Sequence, residues 1–428
     1  MVLGSYRSKR HIYERARELG VRLVILDGPG HWAGTCAGPE GVVERHLVVD
    51  LAPFETFVTR AVGVVRDSGL AMDGVGTIDG FAGGFASRIA RALALPFHTI
   101  EATDCARDKH RAREAYGRAD LPGPRFARIE GPKDLEVAAR LVGFPAVLKP
   151  VTGVGSVQTF RVRDLPDLAL RYDGILARVS ESRAKASVGL TSDEAWFNLM
   201  WSGGTSLLLE SWIEGPKFDV DLLLDEGRVL YAHATDDLEL CGLRDVRRVA
   251  PSGLTDTEER QLVDHAAACV LCLGFRRGAF NVEVKRTSDG PRLIEVNGRL
   301  GGYSTTDIHR EVWGIDLVEQ WLRASLNLPM SGSAAAPACF VAESLLPSPR
   351  TGTLIRDGFL DHLGASPRVL TARPWAFAGE AVAGIETGAP DWLGALLTRG
   401  DTREAALAEL EALAASIDFP VTSGTETT

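Results

Sequence analysis

The chain has 428 residues, 45% of them hydrophobic and 24% charged, and a formal net charge of −10. At about 100–200 residues per domain this length implies roughly two to four domains, and the composition is that of a globular protein with ample core material. The acidic balance argues against a nucleic-acid polyanion as main partner, but a small phosphate site needs only local positive charge and is not excluded.

The N-terminal segment is polar, and His11 to Leu19 reads as a helix closed by Gly20. Val21 to Leu26 is a short apolar strand followed by the turn Asp27-Gly28-Pro29-Gly30. Phe54 to Arg66 reads as a helix, Gly74 to Ile78 as a strand and Phe85 to Leu95 as a helix with small residues on its packing face. Strands separated by helices predict a parallel sheet covered on both faces. From Asp104 the pattern changes. A charged helix over Asp104 to Ala119 leads into a short α+β unit with strands Pro145 to Pro150 and Val157 to Val162, joined by the Gly-rich turn Thr152 to Ser156. Leu207 to Ile213, Phe218 to Leu224 and Val229 to Ala234 read as strands, Glu258 to Leu273 as a helix, and Ala279 to Lys285 with Pro291 to Asn297 as a hairpin. Helix Leu317 to Ala324 follows, then a small-residue linker around Ser331 to Pro337. Beyond it lies a β-rich unit with one amphipathic helix, Thr402 to Ala415, and a tail that reads as disordered.

The six cysteines are scattered and form no disulfide framework, and Cys269 and Cys272 read as helix thiols rather than half a zinc site. No secretory pattern opens the chain, and no apolar run approaches the ~20 residues a membrane span needs. A cytoplasmic protein without a membrane partner is expected.

The strongest chemical signal is the hairpin FNVEVK…RLIEVNGRLGG. Glu295 and Asn297 are two apart and share a face, and Glu283 can join them from the neighbouring strand. Two carboxylates and an amide oxygen are a hard ligand set suited to Mg²⁺ with phosphates completing the octahedron. Arg299, two residues on, suits a transferring phosphoryl group. Gly301 and Gly302 permit close backbone approach. An ordinary charged hairpin is the alternative. Lys149, at a strand end before the Gly-rich turn, makes with it a phosphate cradle outside the Walker pattern. Lys109 is either a second phosphate contact or part of a solvated helix face. The strand Leu208 to Ile213 can pair with an adenine edge, Glu210 accepting from the exocyclic amine.

Taken in this order, the segments resemble the ATP-grasp superfamily from about Val21 to Pro329. The resemblance implies mixed α/β and α+β architecture: an N-terminal Rossmann-like domain (1–103), a small ATP-grasp subdomain with its linking helix (104–206), a large subdomain with the metal and phosphate site (207–330) and the C-terminal β-rich unit (331–428). Carried over by motif, Lys109 and Lys149 look like the phosphate-contacting lysines. Gly153, Gly155 and Ser156 look like the phosphate-covering loop, and Glu210 and Ile213 like the adenine hinge. Glu283, Glu295 and Asn297 look like the magnesium ligands and Arg299 like the catalytic arginine. The implied cofactors are ATP and Mg²⁺, expected as two ions with Mn²⁺ as a substitute. Many such ligases read G-x-E after the hinge, the Glu holding the ribose; here the turn carries Lys217.

Within the superfamily the chain looks most like the L-amino-acid ligases that make dipeptides, a group that includes carnosine synthase and the bacilysin-type ligase. The resemblance implies an ATP-dependent carboxylate–amine ligase, working through an acyl-phosphate on small-molecule amino acids, with a homodimer as family expectation. Where that group carries Glu in an E-T-G context near the amino-acid pocket, this chain has Asp245 within Arg244-Asp245-Val246-Arg247-Arg248. Arginines facing the pocket would clamp a second carboxylate, pointing to an acidic donor joined through its side chain; a solvated basic strand is the alternative. Tyr303 is a candidate pocket wall. The competing readings are an ATP-grasp carboxylase or purine-pathway ligase, and a nucleotide-binding protein without catalysis.

Overall fold

The computed structural model describes residues 1–153, 155–186, 204–241, 243–332, 336–387 and 390–423. Val154 of the expected phosphate-covering loop, the linker centre at 333–335 and residues 424–428 of the tail lie outside the described residues.

Strands β1 (Val2–Leu3), β2 (Val24–Asp27), β3 (Arg45–Val48) and β4 (Gly76–Thr77) form a parallel sheet ordered β3-β2-β1-β4. Its alternation is simple. Val2 and Ile25 face a core shared with Ile12 and Tyr13 of α1 (Arg10–Glu18). Leu3 and Leu26 face the opposite core, shared with α2 (Phe54–Asp67) and α3 (Gly83–Ala92). The sequence reading missed β1, which is too short to show a period.

The helix expected over Asp104 to Ala119 is two helices, α4 (Ile100–Arg107) and α5 (Lys109–Arg118). Asp108 between them has extended dihedrals and its side chain accepts from the Arg111 N–H at 2.9 Å, so it caps a new helix rather than continuing the old one. This break puts Lys109 on the first turn of α5, with its backbone N–H bonded to Val151 O at 3.0 Å.

The small lobe comprises β5 (Phe126–Ile129), α6 (Leu135–Val142), β6 (Ala146–Pro150), β7 (Phe160–Val162), α7 (Leu165–Ala186) and β8 (Leu207–Ser211). Its antiparallel sheet, ordered β5-β8-β6-β7, packs Leu148 and Leu209 against Val142 of α6 and Ile175 of α7.

The large lobe begins with β9 (Lys217–Asp225), β10 (Arg228–Cys241), β11 (Arg244–Ala250), α8 (Asp256–Cys272), β12 (Gly278–Thr287) and β13 (Gly290–Asn297). Then come α9 (Thr305–Trp313), α10 (Leu317–Ser325), β14 (Phe340–Pro347), β15 (Gly352–Leu354), β16 (Val369–Pro374), β17 (Ala381–Val382), β18 (Trp392–Gly400), α11 (Arg403–Ala415) and β19 (Val421–Ser423). One antiparallel sheet runs β13-β12-β9-β10-β11-β14-β18-β16, so strands from beyond the linker continue the sheet of the large lobe. A smaller sheet, β17-β15-β19, flanks it. Among the described residues no helix is long and apolar enough to cross a membrane. The mixed architecture expected from the hairpin and the alternating N-terminal elements is the one observed.

Candidate active site

The large sheet sorts its side chains by strand alternation. On β9, Phe218, Val220 and Leu222 enter a core with Leu262 and Val270 of α8, while Lys217, Asp219 and Asp221 point the other way. Antiparallel register then lines up polar neighbours across three strands: Glu295 opposite Glu283, and Glu283 opposite Asp219. The next row holds Asn297, Asn281 and Asp221. This polar face and the small-lobe sheet enclose a cleft of about 1360 Å³, measured with its open mouth.

Cations from the small lobe and α5 enter the cleft from above. Lys109 Nζ lies 2.8 Å from Glu295 Oε1 and also donates to Gly153 O. Lys149 Nζ lies 2.6 Å from Glu210 Oε2, and Arg113 holds the same carboxylate through Nε at 2.5 Å and Nη2 at 3.2 Å. Arg113 also donates to Ile294 O at 2.6 Å, tying the two lobes together. Burial opposes the charge on Glu210, but Arg113 and Lys149 outweigh it and hold the carboxyl down at about 2. Lys149 sits below the ordinary lysine range, because burial together with Arg113 and Lys109 outweighs the attraction of Glu210. Three cations thus crowd two carboxylates, and a polyanion is the natural complement. Arg113 was not singled out from sequence; it looks like any other residue of a charged helix until its burial is seen.

At the far end Trp212 and Ile213 line the cleft. The Trp212 ring lies between the guanidinium of Arg161 at 4.3 Å and the ammonium of Lys285 at 4.4 Å, and Lys285 donates to Ile213 O at 2.9 Å. Gly153, Gly155 and Ser156 line the wall, with Ser156 Oγ 3.2 Å from Leu243 O.

Lys217 is deeply engaged. Its ammonium donates to both oxygens of Asp245 at 2.7 Å and lies 2.9 Å from Asp237, 3.3 Å from Glu283 and 3.7 Å from Asp219. Burial works against its charge, but these carboxylates prevail and hold it well above the ordinary lysine range. One ammonium cannot neutralise four carboxylates. Burial and the neighbouring acids keep the Asp237 and Asp245 carboxyls raised despite Lys217. Burial, with Asp219, Asp245 and Glu295 adding to it against the pull of Lys217, pushes Glu283 up to about 7.

The three arginines of the β11 segment part ways. Arg244 lines the cleft and donates to Pro390 O at 3.1 Å. Arg247 instead pairs with Glu411 of α11 at 3.1 Å, because alternation along β11 turns it to the opposite face. Arg248 is buried against Glu343 and lies 3.5 Å from Asp219. Arg299 donates to Asn297 Oδ1 at 3.2 Å and Leu300 O at 2.7 Å. Gly302 and Tyr303 line the cleft, and the Tyr303 ring stacks on Trp375 at 6.0 Å. Gly301 packs beneath: a Cβ there would come within 2.6 Å of Asp221 Oδ1 and 2.7 Å of Thr305. Close approach of the Gly301 backbone to β9 therefore excludes a side chain.

The residues fit a divalent cation. Glu283, Glu295 and the Asn297 amide oxygen present hard donors on one face, and the raised Glu283 carboxyl marks an excess of negative charge that such an ion would offset.

Two α+β lobes clasping a cleft, with lysines on one and a Glu–Glu–Asn–Arg set on the other, define an ATP-grasp architecture. Residues 142–307 match the ATP-grasp domain family, so the chain carries an ATP-grasp domain. It is 29% identical to human carnosine synthase 1 over 325 residues, which is 73% of this chain and 37% of that protein. The chain therefore spans little more than a third of the length of that relative. It is 22% identical to alanine–anticapsin ligase of Bacillus subtilis over 269 residues, 60% of this chain and 55% of that one. Its fold superposes on the crystal structure of an L-amino acid ligase from Bacillus licheniformis with a TM-score of 0.84 at 22% identity, covering 99% of this chain and 98% of the other.

Proposed function

We propose that the chain is an ATP-dependent carboxylate–amine ligase that joins two amino acids through an acyl-phosphate, releasing ADP and phosphate. The observation that carries this reading is the convergence of Lys109, Lys149, Glu283, Glu295, Asn297 and Arg299 on one cleft. Glu283, Glu295 and Asn297 would hold Mg²⁺, which when bound would supply charge neutralisation to the triphosphate. Lys109 and Lys149 hold the phosphates from the small-lobe side. Arg299, fixed through Asn297 and Leu300 O, faces the transferring group and stabilises its charge. The wall formed by Gly153, Gly155 and Ser156 excludes water that would hydrolyse the acyl-phosphate. Trp212, Ile213 and Lys285 shape the base end. The ordered donors leave positioning and electrostatics to supply the rate, with no enzyme nucleophile.

The finer parts of the reading belong here too. The two oxygens of each carboxylate suit a pair of Mg²⁺ ions, with Mn²⁺ as a substitute. Five free cysteines among the described residues favour a reducing, cytoplasmic setting. The division into 1–103, 104–206, 207–330 and 331–428 is kept as part of this reading, with one apolar core shared by the first, third and fourth segments and the large sheet running across the last boundary. A homodimer is carried from the family resemblance alone. An acidic donor would meet Arg244, the one of Arg244, Arg247 and Arg248 that lines the cleft.

The test is ADP release by the purified chain with ATP, Mg²⁺ and pooled amino acids, followed by mass spectrometry of the products. Amino-acid-dependent ADP and a dipeptide mass are expected. Dependence on bicarbonate instead makes it a carboxylase, and absence of turnover makes it a nucleotide binder.

A further inference from the structure

The N-terminal domain brings a further cation, Lys9, against the backbone of Tyr303, which lines the end of the cleft. β1 ends in the turn Arg7–Lys9, which leads into α1 at the carboxyl end of the parallel sheet, where open α/β sheets place ligands. Lys9 reaches from this turn to the Arg299–Tyr303 loop, where its ammonium has one long hydrogen bond, 3.4 Å to Tyr303 O. The strongest charges acting on it are Arg299, Arg248 and Arg373, set against Glu343.

That acid is already committed. Glu343 accepts from Arg248 Nε at 2.9 Å and from Ser304 N at 3.1 Å. Asp307, paired with Arg373 at 3.1 Å, is also held by Arg310 at 2.7 Å. Among the described residues no carboxylate lies within ion-pair distance of Lys9 or Arg299. Nη1 of Arg373, whose charge acts on the same cluster, is buried without a hydrogen-bond partner. Burial, with Arg299 and Arg248 adding to it, lowers the Lys9 ammonium to about 7. The Lys9 residue as a whole is nonetheless only partly buried. The surplus of positive charge beside Arg299 is the converse of the surplus of carboxylates around Lys217.

We propose that the Lys9 ammonium, backed by Arg373, binds the carboxylate of the acceptor amino acid. The inference rests on the ligase reading above. In such a reaction the donor carboxylate is consumed at Arg299, whereas the acceptor keeps its carboxylate throughout and needs a fixed counter-charge within one residue's length of the acyl carbon. A buried anion without such a partner is costly.

The experiment compares free amino acids with their carboxamides as acceptors, at saturating ATP and donor, in the unsubstituted chain, Lys9→Gln and Lys9→Arg. The unsubstituted chain is expected to favour the free acid by about 10- to 100-fold in kcat/KM, the range for a hydrogen bond to a charged group. Lys9→Gln should lose that preference, mainly through KM for the acid, with ATP affinity unchanged. Lys9→Arg should keep it. Equal use of acid and amide by the unsubstituted chain overturns the proposal even if Lys9→Gln does not fold. A preference that survives in Lys9→Gln also overturns it while leaving the ligase reading intact. Absence of amino-acid-dependent ADP release overturns both.

Discussion

Replacing Glu210 by Gln keeps the shape of the side chain and removes the charge that Arg113 and Lys149 share. The folded carboxyl sits at about 2 against an ordinary value of 4.5. At ~1.4 kcal/mol per unit, and with the group fully enclosed, this corresponds to about 3 kcal/mol. The same size follows from leaving a buried cation without its partner, about 3–5 kcal/mol. A carboxyl with a depressed folded value stabilises the protein above the unfolded value and loses that contribution as pH falls toward the folded one. The difference between the unsubstituted chain and Glu210→Gln should therefore be full at pH 7 and shrink as pH falls below about 4.5. Urea unfolding followed by tryptophan fluorescence at several pH values measures it, with Trp212 beside the site as a reporter. ATP affinity is measured in parallel by calorimetry. An unchanged urea midpoint with sharply weakened ATP binding would refute the argument, because the carboxylate would then serve the adenine, as the sequence alone suggested, and not the Arg113–Lys149 pair.

Arg299→Ala should lower turnover by about 10²- to 10³-fold while ATP affinity stays within a few-fold, because the guanidinium acts on charge that develops during transfer; undiminished turnover assigns that role elsewhere. Lys217→Met should cost about 3–5 kcal/mol by leaving Asp237, Asp245 and Glu283 without their ammonium and Asp219 with Arg248 alone. The raised Asp237 and Asp245 carboxyls make the sign clear: the loss should be larger at pH 8 than at pH 5, where protonation relieves the repulsion, and thermal melts at the two values check it.

The hairpin was legible because two strands of period two force Glu283, Glu295 and Asn297 onto one face whatever surrounds them. The Gly-rich turn after Lys149 was legible for a similar local reason. Arg113 was not, since its meaning lies in a partner 97 residues away that only the closed cleft brings near. Lys9 was hidden twice over, by a two-residue strand that shows no period and by cationic neighbours from three distant segments. The break at Asp108 was readable in principle, as an Asp three residues before Arg111, but the surrounding run of good helix formers masked it. Arg247 and Arg248 looked alike in sequence, and strand alternation separates them to opposite faces.

Two departures from the related ligases looked independent in sequence: Lys217 where many have Glu, and Asp245 where the dipeptide-forming group has Glu. The structure joins them, since the Lys217 ammonium holds both Asp245 oxygens at 2.7 Å. Position 217 opens β9 and its alternation aims the side chain into the cleft beside Asp219. A Glu there would add a fifth carboxylate to Asp219, Asp237, Asp245 and Glu283, where burial, with Asp219, Asp245 and Glu295 adding to it, already raises the Glu283 carboxyl to about 7. Lysine instead brings a positive charge that, together with Arg248 3.5 Å from Asp219, offsets the carboxylates of this nest. The two positions therefore read as a single compensated change, the charge at 217 and the carboxylate at 245 being held against each other.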